Sequence, residues 1–145
     1  MKKLCFLLVA LTGLSGVHAQ TAGNSEPLFI VFPGDSADLK AVGTELAIQN
    51  HQTFIKIAQI LVDNPQYRIL IDGHANPVQG GREEEAGTLR PLSERRASAA
   101  ADFLVNYYKV DRKRLILTGA GGGYPFGDNN QARNRRVSFF IITPR

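Results

Sequence analysis

The chain has 145 residues, with 17 Lys and Arg against 13 Asp and Glu, a formal net charge of +4 and a single cysteine. That length suits one domain with one core, and so mild a charge balance gives no footprint for nucleic acid. One cysteine excludes an internal disulfide or a zinc–thiolate cluster.

Met1-Lys2-Lys3 gives a positive start, Leu4 to Leu14 a short apolar run, and Val17-His18-Ala19 a small-residue cleavage pattern. Together they predict a secretory signal peptide over 1–19, cut after Ala19. The run is broken by Thr12, Gly13, Ser15 and Gly16 and falls short of the ~20 apolar residues a membrane span needs. Cys5 stands too early to be the acylated residue of a lipoprotein, so no lipid or other direct membrane anchor is expected. The segment takes Lys2 and Lys3 with it and no acid, leaving 126 residues with 15 basic and 13 acidic side chains, near +2. Residues 20–27 are small and polar, a loose leader to a domain expected over 28–145.

Leu28-Phe29-Ile30-Val31-Phe32 is an apolar run closed by Pro33-Gly34, which predicts a buried strand. Phe54, Ile57, Ala58, Leu61 and Val62 recur at three- and four-residue steps, so Leu46 to Val62 is an amphipathic helix, stopped by Asp63-Asn64-Pro65. His51 on that helix is a solvated or capping residue, since no second ligand lies at helical spacing from it. Tyr67 to Gly73 is a second strand with Ile69 and Ile71 on one side and Leu70 and Asp72 on the other.

Residues 77–90 are rich in Gly and charge and include Glu83-Glu84-Glu85, which predicts an exposed loop. Pro91 suits the first turn of a helix, and Leu92, Ala100, Phe103, Leu104 and Tyr107 give that helix a core-facing stripe. An Arg in such a first turn is a natural anion clamp, because the unpaired N–H groups, the dipole and its planar fork all favour a carboxylate there. Arg95 and Arg96 point about 100° apart, so only one of them enters a pocket. Leu115 to Gly119 is a third strand, parallel to the second after a helical crossover. The glycine-rich Gly119-Ala120-Gly121-Gly122-Gly123-Tyr124-Pro125 is no phosphate loop, because no Gly-Lys-Ser/Thr follows. A short turn or helix then leads to Asn134-Arg135-Arg136-Val137 and a last strand, Ser138 to Ile142.

Four blocks, in this order, resemble the OmpA-like C-terminal domain: Phe32, Ser36 and Leu39; Gly73-His74; Leu92-Ser93-x-x-Arg96-Ala97; and Asn134-Arg135-Arg136-Val137. The family's Gly-x-Gly, Pro and Asn also fall on Gly119, Gly121, Pro125 and Asn129. The resemblance implies an α/β (α+β) fold running β-α-β-α-β-β, a mixed sheet of about four strands with two main helices on one face. It also implies a periplasmic module that grips the stem peptide of peptidoglycan; no cofactor or metal is expected, since no metal-ligand spacing appears in the chain. On that pattern Arg96 inherits the ligand-carboxylate role, Arg95 stays on the surface, and Asn134 and Arg135 help frame the pocket. For the arginines of the last block, bracing the sheet edge is the alternative to a site role, and for Asn134 it is capping the turn.

The chain departs from the family after Gly73-His74, where Thr-Asp is usual and Ala75-Asn76 stands instead. The family's Asp accepts the ammonium of the diamino acid; the neutral carbonyl of Asn76 would hold it less strongly by ~1–2 kcal/mol, about one order of magnitude in binding. Two functions follow as expectations. One is a binding module of weakened or altered affinity that uses Arg96, Ala75, Asn76, Asn134 and Arg135. The other is an OmpA-like fold that has lost the wall ligand and serves as an assembly or protein-interaction domain in the envelope. A tether needs two attachments, so an envelope protein partner or a homo-oligomer is expected in either case. No nucleophile or metal-ligand pattern accompanies His51 and His74, so no enzyme is expected.

Overall fold

The apolar run at the start of the domain forms strand β1, Leu28–Val31, and ends where Pro33 and Gly34 follow. A computed structural model describes residues 27–77, 89–127 and 130–145; the expected signal peptide, Glu83-Glu84-Glu85 and Asn129 lie outside them. Helix α1 covers Thr44–Asp63, with Glu45 at the positive end of the helix dipole. Its buried line is Asn50, Phe54, Ile57 and Leu61, at steps of four, three and four. Val62, expected in that stripe, is 72% exposed because it lies a further 100° round the helix. Asn50 stands in for a missing neighbour strand: its amide accepts from Val31 N–H and donates to Val31 C=O, both at 2.9 Å. This satisfies backbone at the edge of the sheet.

No basic residue sits in the last turn of α1. Arg114 supplies the cap from far along the chain, donating to Leu61 O at 2.9 Å, Asn64 O at 2.7 Å and Tyr67 O at 2.9 Å. Strand β2, Arg68–Gly73, comes next, followed by helix α2, Leu89–Tyr108, strand β3, Leu115–Gly119, the one-turn helix α3, Gln131–Asn134, and strand β4, Arg136–Ile142. The four-stranded sheet has the order β1-β4-β2-β3. Strands β2 and β3 run parallel, with Gly73 opposite Gly119, while β4 is antiparallel to both its neighbours. This is the expected β-α-β-α-β-β mixed sheet.

Side chains alternate along the strands. Ile30, Ile69, Ile71, Leu115, Val137 and Phe139 join one core with residues of both α1 and α2. Of the expected stripe of α2, Leu92, Ala100 and Leu104 are buried, but the buried line also takes in Ser93, Arg96, Ala97 and Ala101, whereas Tyr107 is 62% exposed. Small residues on this line bring the helix close to the sheet, and the Phe103 and Tyr107 rings lie beside it, stacked at 5.2 Å. These rings and Phe54 line a groove of about 700 Å³ between the helices. His51 belongs to this aromatic cluster rather than to solvent or a cap, 3.3 Å from the Tyr108 hydroxyl.

Candidate binding site at the ends of the central strands

The site grows from the point where β2 runs out. Beyond Gly73 the backbone stays tied to both neighbours: Gly73 O accepts from Ala120 N–H, His74 N–H donates to Arg136 O, and Ala75 N–H donates to Gly121 O, each at 2.8 Å. The glycine-rich loop is therefore strapped along the strand end that carries Ala75 and Asn76. Gly121 makes this possible with φ +57, its N–H donating to Ser93 Oγ at 2.9 Å. Ser93 in turn donates to Arg90 O, which joins loop and helix.

Asn76 and Asn134 meet here from 58 residues apart: Asn134 Nδ2 donates to Asn76 Oδ1 at 3.1 Å. Asn134 also accepts from Phe126 N–H at 2.6 Å and donates to Gly127 O at 3.2 Å. Its amide thus holds the loop as well as the partner amide.

Arg96 reaches the same end from the helix side. Its Nε donates to Ser36 O at 2.9 Å, Nη1 to His74 O at 3.0 Å and Nη2 to Pro33 O at 2.9 Å. The guanidinium carbon lies 5.5 Å from the centre of the Phe32 ring. Three backbone carbonyls from two turns are therefore fastened by one side chain. Two expectations change here. Helix α2 begins at Leu89, so Arg96 is its eighth residue, well past the unpaired N–H groups of the first turn. The side chain is also 0% exposed, closed beneath its neighbours rather than presented to a ligand in a pocket.

Asn76 at 1% and Asn134 at 0% are equally enclosed, and Ala75 is buried beside them. Arg95 is exposed. Arg135 is half-buried toward β1, donating through Nε to Phe32 O at 3.3 Å while Phe32 N–H donates to Arg135 O at 2.7 Å. The structure thus brings Ala75, Asn76, Arg96 and Asn134 to one end of the sheet, with Arg135 alongside at the end of β1.

Arg136 acts as a brace on the other face of the sheet. It donates to Ser138 Oγ and Tyr124 O, both at 3.0 Å, with its guanidinium 4.2 Å from the Phe126 ring. Burial pulls its ionisation down to about 10, against the attraction of Asp72 and with the repulsion of Arg133.

His74 Nε2 lies 3.3 Å from Asp72 Oδ2, yet among the described residues neither ring nitrogen has a hydrogen-bond partner. Burial, then the nearby Arg136 charge, lowers the His74 pKa to about 4, so the ring is neutral at pH 7. Burial raises the Asp72 carboxyl, and Arg136 partly reverses this. Among the described residues no group of three His, Cys, Asp or Glu side chains is placed to hold a metal ion.

Sequence reasoning missed the carbonyls of Pro33 and Ser36 as the partners of Arg96, and it gave Tyr124 no role. That ring is 70% exposed and stands edge-to-face with His74, centroids 6.5 Å apart.

Residues 31–138 match the OmpA family. The chain is similar to the peptidoglycan-associated lipoprotein of Brucella melitensis biotype 1, with 37% identity over 105 residues, 72% of this chain and 59% of that protein. It is also similar to outer membrane porin F of Pseudomonas aeruginosa, with 32% identity over 82 residues, 57% of this chain and 22% of the porin. The chain therefore spans about three fifths of the first relative and a smaller part of the second. Among solved structures it shares its fold with the peptidoglycan-associated lipoprotein from Burkholderia pseudomallei, at TM-score 0.62 and 21% identity, covering 79% of this chain and 89% of that one.

Proposed function

The chain belongs to the OmpA family, and on that premise we propose that it is an exported, non-catalytic module of the bacterial envelope that binds the stem peptide of peptidoglycan. The observation that supports this most directly is the meeting of Asn76, Asn134 and Arg96 at one end of the sheet. Arg96 and Asn134 stand on separate blocks of the family pattern, Asn76 holds the position of its usual Asp, and a relative's name points to the same polymer. In this reading Asn76 Oδ1, an oxygen able to accept two hydrogen bonds, receives the ammonium of the diamino acid beside Asn134. Ala75 forms the floor and Arg135 the flank. Arg96 lends positive charge from behind, and it meets a ligand carboxylate directly only when the turn at 33–36 yields a carbonyl. A second attachment, to an envelope protein or another copy, completes the tether.

A specific observation favours a second reading. Arg96, Asn76 and Asn134 are 0%, 1% and 0% exposed, and Asn76 is neutral where the family pattern has an acid. A fold that has kept this constellation as an internal brace, and acts as an assembly domain of the envelope, fits that enclosure.

Co-sedimentation with purified sacculi, run beside Asn76→Asp and Arg96→Ala with circular dichroism as the folding control, separates the two. Binding by the parent chain that rises about tenfold in Asn76→Asp supports the wall-binding reading. If the parent and a folded Arg96→Ala variant sediment equally poorly while Asn76→Asp gains binding, that reading fails for this chain.

A further inference from the structure

Tyr124 is a large ring left 70% exposed beside the candidate site, and its position is heavily constrained. Its carbonyl accepts from Arg136 Nη2 at 3.0 Å. Two residues on, Phe126 N–H donates to Asn134, the residue that holds Asn76. Pro125 follows it, which limits its own backbone to extended conformations. Before it, Gly122 lies so close to Pro77 that an added Cβ would stand 2.6 Å from Pro77 Cβ, so the loop rests on the residue next to Asn76. The ring stands edge-to-face with His74, centroids 6.5 Å apart.

A solvent-facing aromatic ring on an anchored loop beside a candidate peptide site is suited to a sugar ring, whose C–H face carries partial positive charge that complements the negative face of the ring. We propose that Tyr124 is the platform of a carbohydrate subsite, on which a pyranose of the glycan strand attached to the bound stem peptide stacks. The proposal rests on the wall-binding reading for its ligand. It uses only the exposed ring, so the enclosure of Asn76 does not stand in its way.

Titration calorimetry compares free stem peptide with the same peptide on its disaccharide, for the parent chain, Tyr124→Ala and Tyr124→Phe. The disaccharide should strengthen binding about 5-fold in the parent and in Tyr124→Phe. In Tyr124→Ala that gain should vanish, while affinity for the free peptide stays unchanged. Equal loss for both ligands in Tyr124→Ala, or no gain from the sugar in the parent, overturns the proposal. A peptide-free glycan tetrasaccharide, followed by the NMR signals of the Tyr124 ring, separates this inference from the reading beneath it. Perturbation of those signals upholds the platform even where free stem peptide does not bind, and unmoved signals at saturating glycan refute it.

Discussion

Arg96 Nη1 donates to the carbonyl oxygen of His74 at 3.0 Å, so the buried charge of α2 is fastened to the strand end that carries Ala75 and Asn76. With Pro33 O and Ser36 O on its other nitrogens, it joins the ends of β1 and β2. Removing it leaves three carbonyls short of a donor and opens a cavity. Arg96→Ala is therefore expected to lose about 3–5 kcal/mol of stability in urea denaturation. Arg96→Lys remains destabilised, because a single ammonium does not reproduce the planar fork. A loss under about 1 kcal/mol for the Ala variant would mean that the guanidinium does not fasten these turns.

Asn134 matters mainly as a donor. Its Nδ2 serves Asn76 Oδ1 and Gly127 O, while its oxygen serves Phe126 N–H. Asn134→Asp keeps the acceptor and turns a carboxylate oxygen toward two other oxygens. It should cost at least as much as Asn134→Ala, about 2–3 kcal/mol by thermal unfolding. An Asp variant as stable as the parent would rule out the donor role.

Acid should weaken the fold through His74. Its folded pKa of about 4 lies below the ordinary 6.5, so the folded state resists a proton that the unfolded chain accepts. The contribution is complete above pH 6.5 and is lost as pH falls toward 4, by up to about 3 kcal/mol. Asp72, whose raised carboxyl favours protonation in the fold, offsets part of the loss at the acid end. Melting curves from pH 7.5 to 4.5 should fall more steeply for the parent than for His74→Gln; parallel curves would assign the slope to other groups.

The close approach of α2 to the sheet is tested at two glycines. A Cβ on Gly73 would stand 1.9 Å from the Ser93 backbone oxygen, whereas one on Gly119 would meet the flexible Glu94 side chain at 2.4 Å and reach backbone only at 2.9 Å, the Glu94 nitrogen. Gly73→Ala should cost about 3 kcal/mol or more and Gly119→Ala clearly less. The reverse order in urea denaturation would contradict the helix position.

Local periodicity determined much of this protein. The alternation of Ile69 to Asp72 set the two faces of β2, and the Leu115 to Gly119 run marked its parallel partner. The three- and four-residue steps through Phe54, Ile57 and Leu61 set the buried side of α1. These signals are readable because a strand repeats every two residues and a helix every 3.6, whatever lies elsewhere in the chain. The motif blocks likewise pointed to Arg96 and Asn134, and the departure from them to Asn76.

What each of these polar groups touches was decided only by the tertiary structure. Whether Arg96 opens to a ligand or closes on Pro33, Ser36 and His74 depends on how two turns some 60 and 22 residues away come to rest. The partner of Asn76 lies 58 residues along the chain. A buried donor or acceptor is satisfied by whatever the packing brings within 3 Å or so, and no local pattern carries that information.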